Sequence, residues 1–269
     1  MKSQIIFIKV FLVAAVLLAE SCSTVPLTGR SQLSLLPESS MVEMSLTSYS
    51  EFLKENKLST NASQTQQIKR VGAKVSAAVE TYLKNNGFAG YIENFKWEFN
   101  VVESDVPNAW CMPGGKVVFY TGILPLTQND AGVAVVMGHE IAHAVARHGN
   151  ERMSQTMLVE MGGVALSEAV KTQPEKTKTI YSSAYGLGTQ VGFTLPFSRK
   201  HELEADKMGL IFMAMAGYDP RESVAFWKRM AAKGGSGTPE FLSTHPVDAR
   251  RIAELEKLMP EAMKYYQGQ

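Results

Sequence analysis

His139, Glu140 and His143 stand together in VVMGHEIAHAVARHG, residues 135–149, a run that is otherwise largely apolar. On a helix, a four-residue spacing places two imidazoles on one face a turn apart, where both can reach one metal ion. Glu140 then lies about 100° around the helix from His139, beside such an ion instead of on it. From there a carboxylate can take a proton from a water acidified by the ion. Val136, Ile141, Ala142 and Val145 mark the run as buried, and burying polar groups without partners is costly. Two core histidines satisfied by other hydrogen bonds are the plain alternative.

This is the His-Glu-x-x-His arrangement of zinc peptidases, in which a working zinc needs a third protein ligand and one open position. The stretch FSRKHELEADKMGL, residues 197–210, offers one. Glu202 and Asp206 share a helical face, with Glu204 on the other side. With Glu202 on the metal, Asp206 lies a turn away, placed to accept a hydrogen bond from a ligand histidine and so fix its tautomer. By spacing alone, a solvated charged face accounts for this segment equally well. His148 falls at the C-terminal end of the motif helix, where a cation suits the dipole. His201 sits on a different face from Glu202, and both are read as non-ligands.

The elements that must position these groups follow from periodicity. A helix opens at Pro37-Glu38-Ser39 and reaches about Asn56, with Met41, Met44, Leu46, Tyr49 and Leu53 as its apolar face. A second runs from near Asn61 to Asn85-Asn86-Gly87, with Ile68, Val71, Val75, Val79 and Leu83 in register. Strand alternation follows around Trp97, Phe99 and Val101. NAWCMPGGKVVFYTGIL, residues 108–124, reads as strand, Pro-Gly-Gly turn and strand. From residue 129 the chain is nearly all helix. Asn129 or Asp130 caps the motif helix, which is expected to continue to Gly149. Residues 152–192 read as two helices packed over or beside the site. The fold class is α+β, mostly helical, with a small antiparallel sheet beside the active-site helix.

Bulk properties add limits. With 269 residues and 45% hydrophobic content the chain can bury a full core, and a net charge of +1 gives no argument for nucleic acid. Residues 1–22 read as a secretory leader: Lys2 and Lys9 flank its start, and an apolar run from Val10 to Ala19 is too short to span a membrane. The end of that leader resembles a bacterial lipoprotein signal, which would make Cys22 the lipidation site; an ordinary signal peptide is the alternative. Lipidation of Cys22 would leave Cys111 as a lone, buried thiol. Residues 23–36 then read as a tether or extended segment, and residues 37–269 as the folded domain.

HEIAH followed by SRKHELEAD resembles metallopeptidase family forty-eight, gluzincins that include the HtpX proteases and the CAAX prenyl endopeptidases. The resemblance extends from about Leu36 to the end and implies a zincin-like domain holding one zinc ion. Matched residue by residue, it implies His139, His143 and Glu202 as metal ligands, Glu140 as general base and Asp206 as the acid behind a ligand. It also places His245 and Arg251, in STHPVDARRI, near the zinc. The histidine would bind the metal in a closed form or stabilise an oxyanion, and the arginine would hold charge. Read without the family, His245 is a surface residue ahead of a helix that starts at Pro246. Asn108 and Ala109 resemble the edge strand along which zinc peptidases lay a substrate, with an ordinary hairpin strand as the alternative. No run of eighteen apolar residues follows the leader, so the chain resembles the soluble periplasmic lipoprotein branch, akin to outer-membrane quality-control proteases such as BepA, without tetratricopeptide repeats. The implied function is a zinc endopeptidase of the bacterial envelope, lipid-anchored to the outer membrane and facing the periplasm. Its substrates would be misfolded or stalled polypeptides, with outer-membrane assembly proteins as further partners. The alternative is a chaperone-like scaffold with a closed, non-catalytic zinc site.

Overall fold

The computed structural model describes residues 22–189, 195–233, 241, 245 and 249–268. The expected leader therefore lies outside the described residues, which begin with the backbone of Cys22. The stretch read as a tether or extended segment forms a hairpin, β1 (Cys22–Thr24) antiparallel to β2 (Ser31–Leu33). The side chains of Val25 and Gln32 are buried.

Helix α1 (Glu38–Glu55) starts after Pro37, which fixes a backbone angle suited to a helix entry. It buries Met41, Val42, Ser45 and Tyr49. Met44 and Leu46, expected on that face, are each 43% exposed; on a 3.6-residue period Val42 and Ser45 fall on the Tyr49 side instead. Helix α2 (Ala62–Asn85) is capped by Asn61, whose side chain accepts from the Gln64 N–H at 3.2 Å. Its Ile68, Val71, Val75, Val79 and Leu83 are fully buried, each contributing about 1.5–3 kcal/mol of apolar transfer.

Strands β3 (Glu98–Val102), β4 (Ala109–Met112) and β5 (Lys116–Tyr120) form one sheet in the order β3-β5-β4. The β4–β5 hairpin is antiparallel, closed by Gly114 and Gly115 at φ +86° and +80°, angles open to glycine without a Cβ penalty. The third strand departs from the all-antiparallel expectation: β3 runs parallel to β5, pairing Phe99 with Val117 and Val101 with Phe119. Residues 103–108 carry the chain from β3 to β4 on the far side of β5, so β5 is central and β4 is an edge.

A short helix, α3 (Leu124–Thr127), leads into α4 (Asp130–Val145), which carries the motif. Asn129 caps α4 by accepting from the Gly132 N–H at 2.9 Å. Every residue from Gly132 to Val145 is buried, which marks a helix running through the core. It is packed by α2, by β4, by α7 (Leu195–Met215) and by α8 (Glu222–Lys233).

The motif helix stops earlier than its sequence suggests. Arg147 takes a left-handed conformation, φ +56°, and α5 (His148–Val170) begins directly after it. His148 thus opens a new helix instead of closing the old one. Helix α6 (Glu175–Thr189) packs back on α5, giving the two helices expected there. The last helix, α9 (Ala249–Ala262), lies against α7 and α8.

Candidate metal centre

Helices α4 and α7 cross unusually closely beside His139. A Cβ added to Gly138 would lie 2.7 Å from the Gly209 carbonyl oxygen, and one added to Gly209 would lie 2.8 Å from the His139 nitrogen. Two glycines facing each other bring the backbones together, so the short side chains of Glu202 and Asp206 on α7 reach the imidazoles on α4. His245 comes in from the segment ahead of α9. Ligand atoms of His139, His143, Glu202 and His245 all lie within 4.8 Å of one another, in a buried cluster.

The hydrogen bonding decides which atoms face inward. Asp206 Oδ1 sits 3.0 Å from His139 Nδ1. Arg251 holds that carboxylate through Nε–H at 2.5 Å and Nη2–H at 2.8 Å. A carboxylate facing Nδ1 places the imidazole proton there and leaves the Nε2 lone pair free. That lone pair points at His143 Nε2, 3.1 Å away, and at Glu202 Oε2, 3.3 Å away. His143 Nε2 lies 3.3 Å from Glu202 Oε1. Acceptor atoms gathered this closely repel unless a cation lies among them. Donors at about 2.05 Å in a tetrahedron stand about 3.3 Å apart, so the spacing suits zinc. His245 Nδ1, 3.2 Å from His139 Nε2 and 2.9 Å from Glu202 Oε2, stands as a fourth donor.

The buried groups shift one another's affinity for protons. Burial opposes the charge of Glu202, but His143 and hydrogen bonds from His139, His143 and His245 outweigh it and hold the carboxyl well below the usual range. Burial also disfavours charge on His139, yet the bonds to Asp206 and Glu202 prevail and raise it to about 9. On His143 burial wins and lowers it to about 3. Glu140 is raised by burial. Its Oε1 is buried with no hydrogen-bond partner and lies 3.5 Å from His245 Nε2. A buried carboxylate beside a cation site can serve as a proton acceptor.

Arg251 is committed to Asp206, reaches Glu202 Oε2 at 3.2 Å and stacks on Trp227 at 3.8 Å. It organises the carboxylates from behind. Asn108 and Ala109 are both buried at the start of edge strand β4. A groove of about 410 Å³ runs along that strand to His143, with Asn108, Trp110, Tyr120, Phe52 and Arg147 among its walls. Cys111 also lines it and is only partly buried, more open than expected.

Several polar residues around the centre escaped the sequence reading. His148, assigned to a helix end, is fully buried and lies 2.8 Å from His143 Nδ1 through its own Nδ1. Glu204, assigned to the opposite face, is buried beside His148 at 3.0 Å. His201 is buried against Glu151 at 2.8 Å. The available signal was the density of His, Glu and Arg in two segments that each had to be buried.

The profile of Peptidase family M48 matches residues 62–259. The chain belongs to peptidase family M48. Its folded domain is thus a zinc metallopeptidase domain, in keeping with the donor set. It is 37% identical over 184 residues to the mitochondrial metalloendopeptidase OMA1 of Saccharomyces cerevisiae, covering 65% of this chain and 51% of that one. It is 32% identical over 245 residues to the mitochondrial metalloendopeptidase OMA1 of Homo sapiens, covering 89% and 46%. To the beta-barrel assembly-enhancing protease of Escherichia coli it is 28% identical over 167 residues, covering 59% and 33%. The chain spans about half the length of these relatives, or less.

These matches correct the expected periplasmic, outer-membrane location. The yeast and human proteins are named as mitochondrial, and both are more similar to this chain than the Escherichia coli protease is. The assignment to a periplasmic lipoprotein branch loses its support for the same reason. No helix among the described residues is long and apolar enough to cross a membrane.

Proposed function

We propose that this protein is a zinc endopeptidase whose substrates lie along β4 and whose ligands are His139, His143 and Glu202. The observation that carries this is the inward-facing Nε2 pair of His139 and His143, 3.1 Å apart, with Glu202 between them at 3.3 Å from each. Zinc, when bound, supplies the positive charge that polarises a peptide carbonyl and acidifies water. Glu140 takes the proton of the attacking water and passes it to the leaving amine. Its raised affinity for protons, caused by burial, suits that double duty. Edge strand β4 offers main-chain hydrogen bonds to an extended peptide. The aromatic walls of the groove provide apolar contact for its side chains.

His245 favours a resting form in which the fourth position is taken, since its Nδ1 faces both Glu202 and His139. In that form the protein is a latched peptidase, and substrate or a partner must draw His245 away. The same closed donor set underlies the second reading, a scaffold in which zinc is structural.

One experiment separates these readings. The purified chain is assayed for zinc content and for cleavage of unfolded casein, alongside Glu140→Gln and His245→Ala. Glu140→Gln is expected to keep zinc and lose roughly 100-fold or more of the cleavage rate. His245→Ala is expected to keep zinc and cleave faster than the parent. Zinc binding without cleavage by parent or His245→Ala overturns the enzyme reading in favour of the scaffold.

A further inference from the structure

His143, like His139, needs its far nitrogen protonated if Nε2 is to face a metal. The residue that enforces this for His139 is a carboxylate, but His143 Nδ1 faces another imidazole, His148 Nδ1 at 2.8 Å. Two imidazole nitrogens at that distance share one hydrogen, and either could own it. The next contact decides the direction. His148 Nε2 lies 3.0 Å from Glu204 Oε2, and a carboxylate only accepts. The hydrogen of His148 therefore sits on Nε2, its Nδ1 is left as an acceptor, and the hydrogen between the rings belongs to His143 Nδ1. His143 Nε2 is then a bare lone pair.

Glu204 is fixed in turn. Arg30 Nε–H donates to its Oε2 at 2.7 Å, and the Thr28 hydroxyl donates to its Oε1. Arg30 also grips Glu151 through both terminal nitrogens, at 2.9 and 2.7 Å. Both carboxylates and the guanidinium are largely buried, with side-chain exposures of 6%, 2% and 12%. Arg30 and Thr28 thus pin the carboxylate that sets the hydrogen of His148 on Nε2.

We propose that His148, Glu204 and Arg30 are positioning residues that hold His143 in its metal-binding tautomer, so that the turn between β1 and β2 governs the zinc affinity of a centre far away in sequence. This rests on His143 being a zinc ligand. Outer groups of this kind carry about 10- to 100-fold in metal affinity. Severing the turn or displacing Arg30 would loosen the metal without touching any ligand.

The test is zinc affinity of the purified chain, read by competition with a fluorescent chelator, with thermal unfolding of the metal-free form as a check on the fold. His148→Leu removes the acceptor, whereas His148→Gln offers an amide oxygen in its place. Arg30→Met and Thr28→Val act three hydrogen bonds away from the ligand. The expected result is a 10- to 100-fold loss for His148→Leu, substantial recovery in His148→Gln, and a smaller loss for Arg30→Met. Equal losses in His148→Leu and His148→Gln would mean packing alone and overturn the proposal. So would parental affinity in Arg30→Met and Thr28→Val, which decide the matter if the His148 variants fail to fold. A parent chain that binds no zinc overturns the ligand assignment itself, an outcome distinct from a parent that binds zinc with variants that bind it equally well.

Discussion

At the scale of single residues, the centre depends on which nitrogen of each imidazole carries hydrogen. Asp206 settles this for His139, and Arg251 keeps Asp206 charged and in place against the cost of burial. Changing Asp206 to Asn removes the charge, leaves Arg251 facing a neutral amide and permits the wrong tautomer. A loss of about 10- to 100-fold in zinc affinity is expected, measured by chelator competition; unchanged affinity would show that Asp206 only fills space. The pairing of His139 with His143 was legible in the sequence because residues four apart on a helix share a face whatever surrounds them, whereas Glu202 and Asp206 needed the family resemblance to separate them from a solvated charged face. His148 was not legible, because its place depends on Arg147 adopting φ +56°, a conformation that a non-glycine residue does not advertise.

At the scale of elements, the close crossing of α4 and α7 makes a single site out of two distant motifs. Gly209→Ala places a methyl group against the His139 backbone, where no flexible side chain can yield. It is expected to cost about 1–3 kcal/mol and to weaken zinc binding by moving Glu202 away from α4. Gly149→Ala is the counterpart on α5. There a methyl meets nothing closer than the Met41 terminal carbon at 3.9 Å, so stability should hold or rise by up to about 1 kcal/mol. Denaturant titrations of the two variants test both signs, and equal effects would sink the crossing argument. The sheet teaches a related lesson. Alternation identified the strands, but the parallel β3–β5 pairing depends on the path of residues 103–108, which no local pattern specifies.

At the scale of the molecule, the N-terminal hairpin is tied to the core by buried charge, and this gives stability a pH dependence. Glu151 is opposed by burial, but its bonds to His201 and Arg30 outweigh that and hold its pKa below 4.5. A depressed carboxyl contributes stability above its unfolded pKa and loses it as pH falls through the folded value. The gap in Tm between the parent and Glu151→Gln should thus be widest near neutrality and narrow below about pH 4.5. Each kcal/mol is worth about 2–4 °C in a chain of this size. A gap that stays constant down to pH 3 would refute the ionic account. Chelation should lower Tm as well, because an ion that binds only the native state stabilises it by mass action.

The sequence by itself determined the helices, the strand hairpin and the His-Glu-x-x-His pattern on a buried helix, since these follow from short-range periodicity and from residue chemistry. Only the tertiary structure decided the rest. It placed His245 against Glu202, brought Arg30 to Glu204 and Arg251 to Asp206, and opened the groove beside β4. Those contacts join residues far apart in the chain. Their partners are selected by which backbones can approach and which buried charges must be paired, and neither condition has a local signature.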